Sequence, residues 1–167
     1  MYFTKLAIFF HDIGKPYCYQ DSDDGFRHFK GHGKVSAELA EQIMTNMKFD
    51  NDTKHKVTEL VFYHDSTIEV EPKHIKRWLN KIGEEQFRRL LDIRRADIKG
   101  QKLHYDKERI NKVNLIENML NHILKEKECF TLKDLAVNGK DLIDIGFSPS
   151  IKLGETLNIL LQKVING

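Results

Sequence analysis

The stretch "FFHDIGKPYCY", residues 9–19, ends an apolar helix on an adjacent histidine and aspartate, His11 and Asp12. The apolar run before it predicts a helix over residues 3–12, apolar on nearly every face and therefore central in the core. We expect Gly14 to take the left-handed conformation that often ends a helix, and Pro16 to prevent its continuation. Two ionisable side chains at the end of a buried helix need partners.

Composition indicates an ordinary soluble globular protein, with 40% apolar and 31% charged residues among 167. The longest apolar run, residues 6–10, is far below the roughly 20 residues that cross a bilayer, so neither a membrane nor secretion is indicated. Cys18 and Cys129 are far apart and form no Cys-x-x-Cys pattern, which argues against a disulfide framework or structural zinc. A reducing cytoplasm is the expected location.

Helical spacing prevails over strict alternation along the chain, so the predicted fold class is all-α. Further helices are predicted over residues 35–47 and 51–64, from Pro72, from residue 84, and over residues 106–128 and 151–166. Residues 17–33 are predicted to form a long connection. Thr131 and Asp134 have the spacing of a capping box.

Further metal-binding side chains stand where the helical pattern predicts burial or a helix end. His64 follows Leu60 by four residues, which places it on an apolar stripe, and Asp97 follows Leu90 by seven. A carboxylate on a core stripe is costly unless a cation or strong hydrogen bonds meet it. Together with His11, Asp12 and His32, these residues predict a site for a divalent metal ion: Mn, Ni, Co, Mg, Fe or Zn.

Simpler interpretations remain open for each residue taken singly. A lone histidine is more often a surface or satisfied core residue, and Asp97 could pair with Arg94 or Arg95. Asp65, beside His64, fits either interpretation. The other histidines lie among polar neighbours and are predicted to be structural or exposed: His28, His55, His74, His104 and His122.

The order of these motifs, "HDIGKP", then "GHG", then His64-Asp65, then "RRAD", resembles the HD superfamily of metal-dependent phosphohydrolases. The resemblance implies an HD-type helical bundle in which His11, Asp12 and Asp97 are metal ligands. His32 and His64 match the additional histidines of binuclear or expanded sites. HD proteins carry one more ligand histidine on an upstream helix, so the chain is expected to be truncated there.

The segment from Cys129 to Gly167 is similar to the closing part of bacterial tRNA nucleotidyltransferase/poly(A) polymerase (CCA-adding) family proteins that contain an HD domain. Their nucleotidyltransferase signature does not occur in this sequence, and "SPS" at residues 148–150 replaces the usual Pro-Gly. The resemblance implies an HD-type metal-binding domain over residues 1–100, lacking its upstream helix, and a C-terminal helical region over residues 101–167.

One functional hypothesis is an HD phosphohydrolase-like module that hydrolyses a phosphoester of a nucleotide or an RNA end. The metal ligands would be the five residues above, with His32 or His64 contacting the phosphate or donating a proton. Lys15 would help to bind phosphate, as would Lys30 and Lys34.

The alternative is the non-catalytic tRNA-binding body and tail of a CCA-adding enzyme, with a structural or vestigial HD site. Residues 73–112 carry 13 Lys or Arg and 6 Asp or Glu, a local excess of seven positive charges. Salt-sensitive contacts to an RNA backbone are predicted for Lys76, Arg77, Lys81, Arg88 and Arg89.

Overall fold

A computed structural model describes residues 2–21, 27–101 and 107–167. The all-α prediction is confirmed, since the described residues form seven α-helices and one antiparallel pair of two-residue strands, β1 (Gln20–Asp21) and β2 (Arg27–His28). No helix in these ranges has the length and hydropathy that a bilayer crossing requires. The helices are α1 (Tyr2–Phe10), α2 (His32–Asn46), α3 (Asn51–Tyr63), α4 (Pro72–Gly100), α5 (Lys107–Lys125), α6 (Gly139–Asp144) and α7 (Ile151–Asn166).

The chain divides into two compact units. The first unit comprises residues 1–67 and 85–113, in which α1, α2 and α3 pack on one another. Burying apolar side chains is the main favourable term in its folding. Its core contains Ala7, Phe10, Ala40, Met44, Val57, Leu60, Val61, Phe87, Leu90, Leu91 and Ile98.

The second unit comprises residues 68–84 and 114–167, in which α7 packs on α6 and on a short 3-10 turn, Leu132–Asp134. The predicted capping box opens that turn, because Thr131 N donates to Asp134 Oδ2 at 2.8 Å. The last helix has the predicted bounds. The core contains Ile68, Ile75, Leu79, Ile116, Leu120, Ile123, Leu142, Leu161 and Ile165.

Helix α4 is interrupted at Gly83, whose φ of 75° and ψ of 166° are non-helical and favour glycine. The prediction of one helix from Pro72 and another from near residue 84 matches this interruption. Helix α5 ends at Lys125, and the predicted first residue of that helix, Asp106, lies outside the described residues. The division into residues 1–100 and 101–167 stays a prediction.

The predictions for the first helix were wrong in two respects. Only Ala7 and Phe10 of α1 are buried, and Phe9 is 75% exposed, so this helix is not central in the core. Gly14 has φ −82° and ψ −13°, not the left-handed conformation. Glycine is needed at this position because a Cβ would lie 2.6 Å from the Ser36 nitrogen, too close for any larger residue.

Helix α2 begins three residues earlier than predicted, at His32. Gly31 precedes it with a φ of 82°, a left-handed conformation that turns the chain into the helix. Of the predicted connection over residues 17–33, the structure describes residues 17–21 and 27–33, and residues 22–26 lie outside the described residues. His32 is therefore held by a helix end.

Candidate metal centre

Three of the predicted histidines are oriented in the same way. Each donates a hydrogen bond from Nδ1 to the backbone carbonyl three residues upstream, since a carbonyl oxygen can only accept. Such a bond fixes the tautomer and leaves Nε2 as the free nitrogen of a neutral ring. The three pairs are His11 with Ile8 at 2.6 Å, His32 with Phe29 at 2.9 Å and His64 with Val61 at 2.7 Å.

The free nitrogens of His32 and His64 face one another. The two Nε2 atoms are 3.0 Å apart, and both residues are buried, with 6% and 8% of their surface exposed. In neutral rings with protonated Nδ1, two lone pairs would point at each other across that distance. A shared proton or a cation in contact with both nitrogens removes this repulsion.

Asp12 lies between two groups of histidines. Its Oδ1 is 3.4 Å from His32 Nε2 and 3.8 Å from His64 Nε2, while its Oδ2 is 3.2 Å from His11 Nε2. The turn after α1 places the carboxylate there, and Gly14 N donates to Ser36 Oγ of α2 at 2.9 Å to hold the turn. One carboxylate thus faces three imidazoles.

Asp97, on the second part of α4, completes a cluster of five side chains, which we call the cluster: His11, Asp12, His32, His64 and Asp97. Its Oδ1 is 3.5 Å from His11 Nε2. Neither Asp12 nor Asp97 has hydrogen-bond alignment with this nitrogen, which is buried and without a hydrogen-bond partner among the described residues. A buried nitrogen in this condition is costly, and a metal ion would satisfy it.

The charges of the cluster shift the pKa values of its members. The nearby carboxylates of Asp12 and then Asp97 raise the pKa of His11 to about 10, against an opposing effect of burial. Burial raises the pKa of Asp12, but the charges of His11 and Lys15 outweigh it and hold that pKa well below its usual range. His11 lowers the pKa of Asp97, and burial lowers that of His64. The cluster therefore favours positive charge between its carboxylates.

The five predicted ligands form two overlapping groups, each with three ligand atoms within 4.8 Å of one another. One is Asp12, His32 and His64, and the other is His11, Asp12 and Asp97. Neutral imidazoles and carboxylates are the donors that Mn, Fe, Ni, Co and Zn accept. The donor set therefore fits one or two divalent ions, with Asp12 common to both groups.

The lysines predicted to bind phosphate have different surroundings. Lys15 Nζ donates to Asp12 Oδ2 at 2.6 Å and lies over the Phe29 ring. Lys30 is exposed, and Lys34 Nζ is 3.9 Å from Glu38 Oε1 in an exposed pair. Only Lys15 contacts the cluster among these three lysines.

The remaining predicted residues make contacts outside the cluster or are exposed. Arg94 donates to the Ser66 carbonyl, and Arg95 Nη1 is 3.4 Å from Asp92 Oδ1. Asp65 is exposed and belongs to neither group. His28, His55 and His122 are exposed as predicted, His74 is partly buried, and His104 lies outside the described residues.

The basic residues predicted to contact RNA have intramolecular partners. Lys76 Nζ is 2.5 Å from Glu128 Oε2, and Arg77 Nη2 donates to Asn166 Oδ1 at 2.5 Å. Lys81 lies over Trp78, Arg89 bonds Glu85 and Gln86, and Arg88 is partly buried. These contacts compete with the predicted role, which stays a prediction.

Two residues beside Asp97 were missed by the sequence reasoning. Gln101 Nε2 donates to Asp97 Oδ2 at 3.0 Å, and Arg109 Nη2 lies 3.9 Å from the same oxygen. Gln101 stands four residues after Asp97, a spacing that places both on one helix face and could have identified it. Arg109 comes from α5, so no local spacing indicates it.

Comparison with known proteins gives one family and two relatives. Residues 20–167 match the family model described as tRNA nucleotidyltransferase domain 2. The A-adding tRNA nucleotidyltransferase of Deinococcus radiodurans is 26% identical over 160 residues, which cover 95% of this chain and 36% of that protein. The CC-adding tRNA nucleotidyltransferase of Thermus thermophilus is 33% identical over 76 residues, which cover 45% of this chain and 18% of that protein.

The chain thus spans about a third of the first relative, and the match to the second covers a smaller share. The family match includes His32, His64 and Asp97 and begins after His11 and Asp12. No solved structure matches the chain.

Proposed function

The chain belongs to the tRNA nucleotidyltransferase domain 2 family, and on that premise we propose that residues 1–100 form an HD-type, metal-dependent phosphohydrolase-like module. Its substrate is a phosphoester of a nucleotide or of an RNA end. The observation that carries this proposal is the convergence of three imidazole Nε2 atoms on the carboxylates of Asp12 and Asp97.

The proposed ligands are His11, Asp12, His32, His64 and Asp97. When bound there, a divalent ion lowers the pKa of water and stabilises negative charge on phosphoryl oxygens. Three protein donors for an ion is the number typical of catalytic zinc centres, which leave a further position open.

The protein's own groups have separate roles in this proposal. The Nδ1 bonds to backbone carbonyls hold the imidazoles in the ligand tautomer, and burial keeps His64 neutral because it lowers its pKa. Lys15, held at Asp12, contributes positive charge for the phosphate. His32 or His64 contacts the phosphate or donates a proton if only one of the two groups holds an ion.

The second candidate function is the non-catalytic tRNA-binding body and tail of a CCA-adding enzyme. This function is favoured by the two relatives, which are named as A-adding and CC-adding tRNA nucleotidyltransferases. The match to the first of them covers 95% of this chain. The helices would form this body and tail, and the HD site would then be structural or vestigial. Both functions are compatible in a longer protein.

A hydrolysis assay distinguishes the two functions. The chain is tested on a phosphodiester and a phosphomonoester with Mn, Ni, Co, Mg and Zn, beside Asp12→Asn and the control Asp52→Asn. Asp52 is an exposed carboxylate of the same unit, paired with Lys56. Metal-dependent turnover lost in Asp12→Asn and kept in Asp52→Asn supports the hydrolase.

The absence of turnover with every metal would contradict the hydrolase. The tRNA-binding alternative then predicts affinity for tRNA that falls steeply with salt, because Lys and Arg contacts to phosphates release counterions. Affinity independent of salt, or no binding, would contradict that alternative as well.

A further inference from the structure

The two oxygens of each cluster carboxylate face different partners. Asp97 Oδ1 faces His11, whereas Asp97 Oδ2 faces Gln101 and Arg109. Asp12 Oδ1 faces His32 and His64, whereas Lys15 contacts Oδ2. Among the described side chains, Lys15 thus lies beside the Asp12 carboxylate and Arg109 beside that of Asp97.

Arg109 is suited to contact a substrate from this position. Its side chain is 49% exposed, more than the 36% of Lys15 and the 27% of Asp97. Its Nη1 donates to Gln101 Oε1 at 2.6 Å, which fixes the guanidinium close to the cluster. Its Nη2 lies 3.9 Å from Asp97 Oδ2, which is longer than a hydrogen bond and places the guanidinium beside this carboxylate as an ion pair.

A second guanidinium adds positive charge on this side. Arg94 is held by the Ser66 carbonyl, and its Nε is buried without a hydrogen-bond partner among the described residues. Burial lowers the pKa of Arg94 to about 10, the negative charge of Asp65 opposes this shift, and the nearby charge of Arg109 adds to it. Asp65 supplies one negative charge near Arg94, and a phosphate bound beside Arg109 would further reduce the repulsion between the two guanidinium groups.

We propose that Arg109 binds the phosphate of the substrate directly in the site proposed above. The inference rests on the proposed function and adds to it a residue from another helix that distinguishes a phosphate-bearing ligand from other anions. A planar guanidinium contacts two phosphate oxygens at once, which a lysine does not. The competing role is that Arg109 only orients Asp97.

The test compares Arg109→Gln, Arg109→Lys and the control Lys107→Gln in the Mn²⁺-loaded chain. The Lys107→Gln substitution removes the same charge from the first turn of α5, at a position about 200° around the helix from Arg109. Binding of inorganic phosphate is measured by calorimetry, and KM and kcat are measured for a phosphomonoester. We expect Arg109→Gln to weaken phosphate binding and raise KM by about 10- to 100-fold.

Arg109→Lys should recover part of the loss, and Lys107→Gln should behave as the wild type. Phosphate affinity and KM unchanged in Arg109→Gln, with only Mn²⁺ affinity or kcat reduced, would assign Arg109 to orienting Asp97 and overturn the inference. Undetectable phosphate binding by the wild-type chain would overturn it too. Because phosphate affinity is measured without turnover, loss of hydrolysis alone contradicts the proposed function and leaves the inference standing.

Discussion

The two compact units differ in what they bury. The buried polar residues of the described chain all belong to the first unit: His32, Ser36, Thr53, His64 and Gln86. The polar contacts of the second unit lie at or near its surface, as between Lys76 and Glu128 or Asn80 and the Phe130 carbonyl. Its buried side chains are apolar.

This difference suggests different roles for the two units. Burying an imidazole or a carboxylate costs free energy unless a partner satisfies it, so five such side chains brought together are costly without a bound cation. The second unit, which lacks such a cluster among its described residues, is held by apolar packing. Substitutions in the first unit are therefore expected to change both metal binding and stability, whereas substitutions in the second unit should change stability alone.

The largest effect on stability is expected from a matched pair of core truncations. Leu60→Ala in α3 and Leu120→Ala in α5 each remove a side chain that is at most 1% exposed, at a cost of about 2 to 5 kcal/mol. Leu60 stands one turn before His64, so its loss should also weaken Mn²⁺ binding. Chemical denaturation and calorimetry check this, and equal Mn²⁺ affinities in both variants would contradict the separation.

A smaller loss of stability is expected from Gly14→Ala. The added Cβ would lie 2.6 Å from the Ser36 nitrogen and 2.8 Å from the His32 carbonyl oxygen, and backbone atoms cannot move away cheaply. Such overpacking costs about 1 to 3 kcal/mol. It should reduce Mn²⁺ affinity as well, since it displaces Asp12 from His32. A stable variant with unchanged Mn²⁺ affinity would show that the close approach is not required.

A gain in stability is expected for Gly154→Ala in the second unit. Gly154 is inside α7, and a Cβ there meets nothing within 4 Å. Alanine in a helix interior is more favourable than glycine by about 0.5 to 1 kcal/mol. The melting temperature should rise while Mn²⁺ binding stays unchanged, and a fall in melting temperature would contradict the helical environment described for this position.

The smallest effect concerns pH and Asp134. Slight burial raises the pKa of Asp134, but hydrogen bonds from Thr131 and from the Phe130 backbone outweigh it and lower the pKa below 3.8. The stabilising contribution is therefore present above that value and lost as the pH falls through the lower folded-state pKa. Urea unfolding of Asp134→Asn and wild type should differ near neutral pH and converge in acid. A difference that grows in acid would contradict the sign.

Much of the candidate site could be predicted from the sequence because its ligands occupy helix ends or core stripes. The positions of His64 and Asp97 follow from helical periodicity, and the structure places both beside Asp12 or His11. The last helix was predicted because its apolar stripe and its boundaries are local features.

The rest depends on contacts between segments far apart in sequence. Gly14 was assigned a left-handed cap, whereas its role is to let Ser36 approach, and no local pattern distinguishes these roles. His32 was placed in a loop because the left-handed Gly31 and the helix start after it were not recognised. Arg109 reaches Asp97 from another helix, so its place could not be predicted from spacing.

Asp12 and its neighbours are expected to bind divalent metal ions, and titration of Mn²⁺ into the chain by isothermal calorimetry measures this binding without any substrate. One or two ions should bind to the wild-type chain and to Asp52→Asn, and binding should be lost in Asp12→Asn. Equal binding by Asp12→Asn and the wild type, or no binding by any of the three, would contradict this expectation.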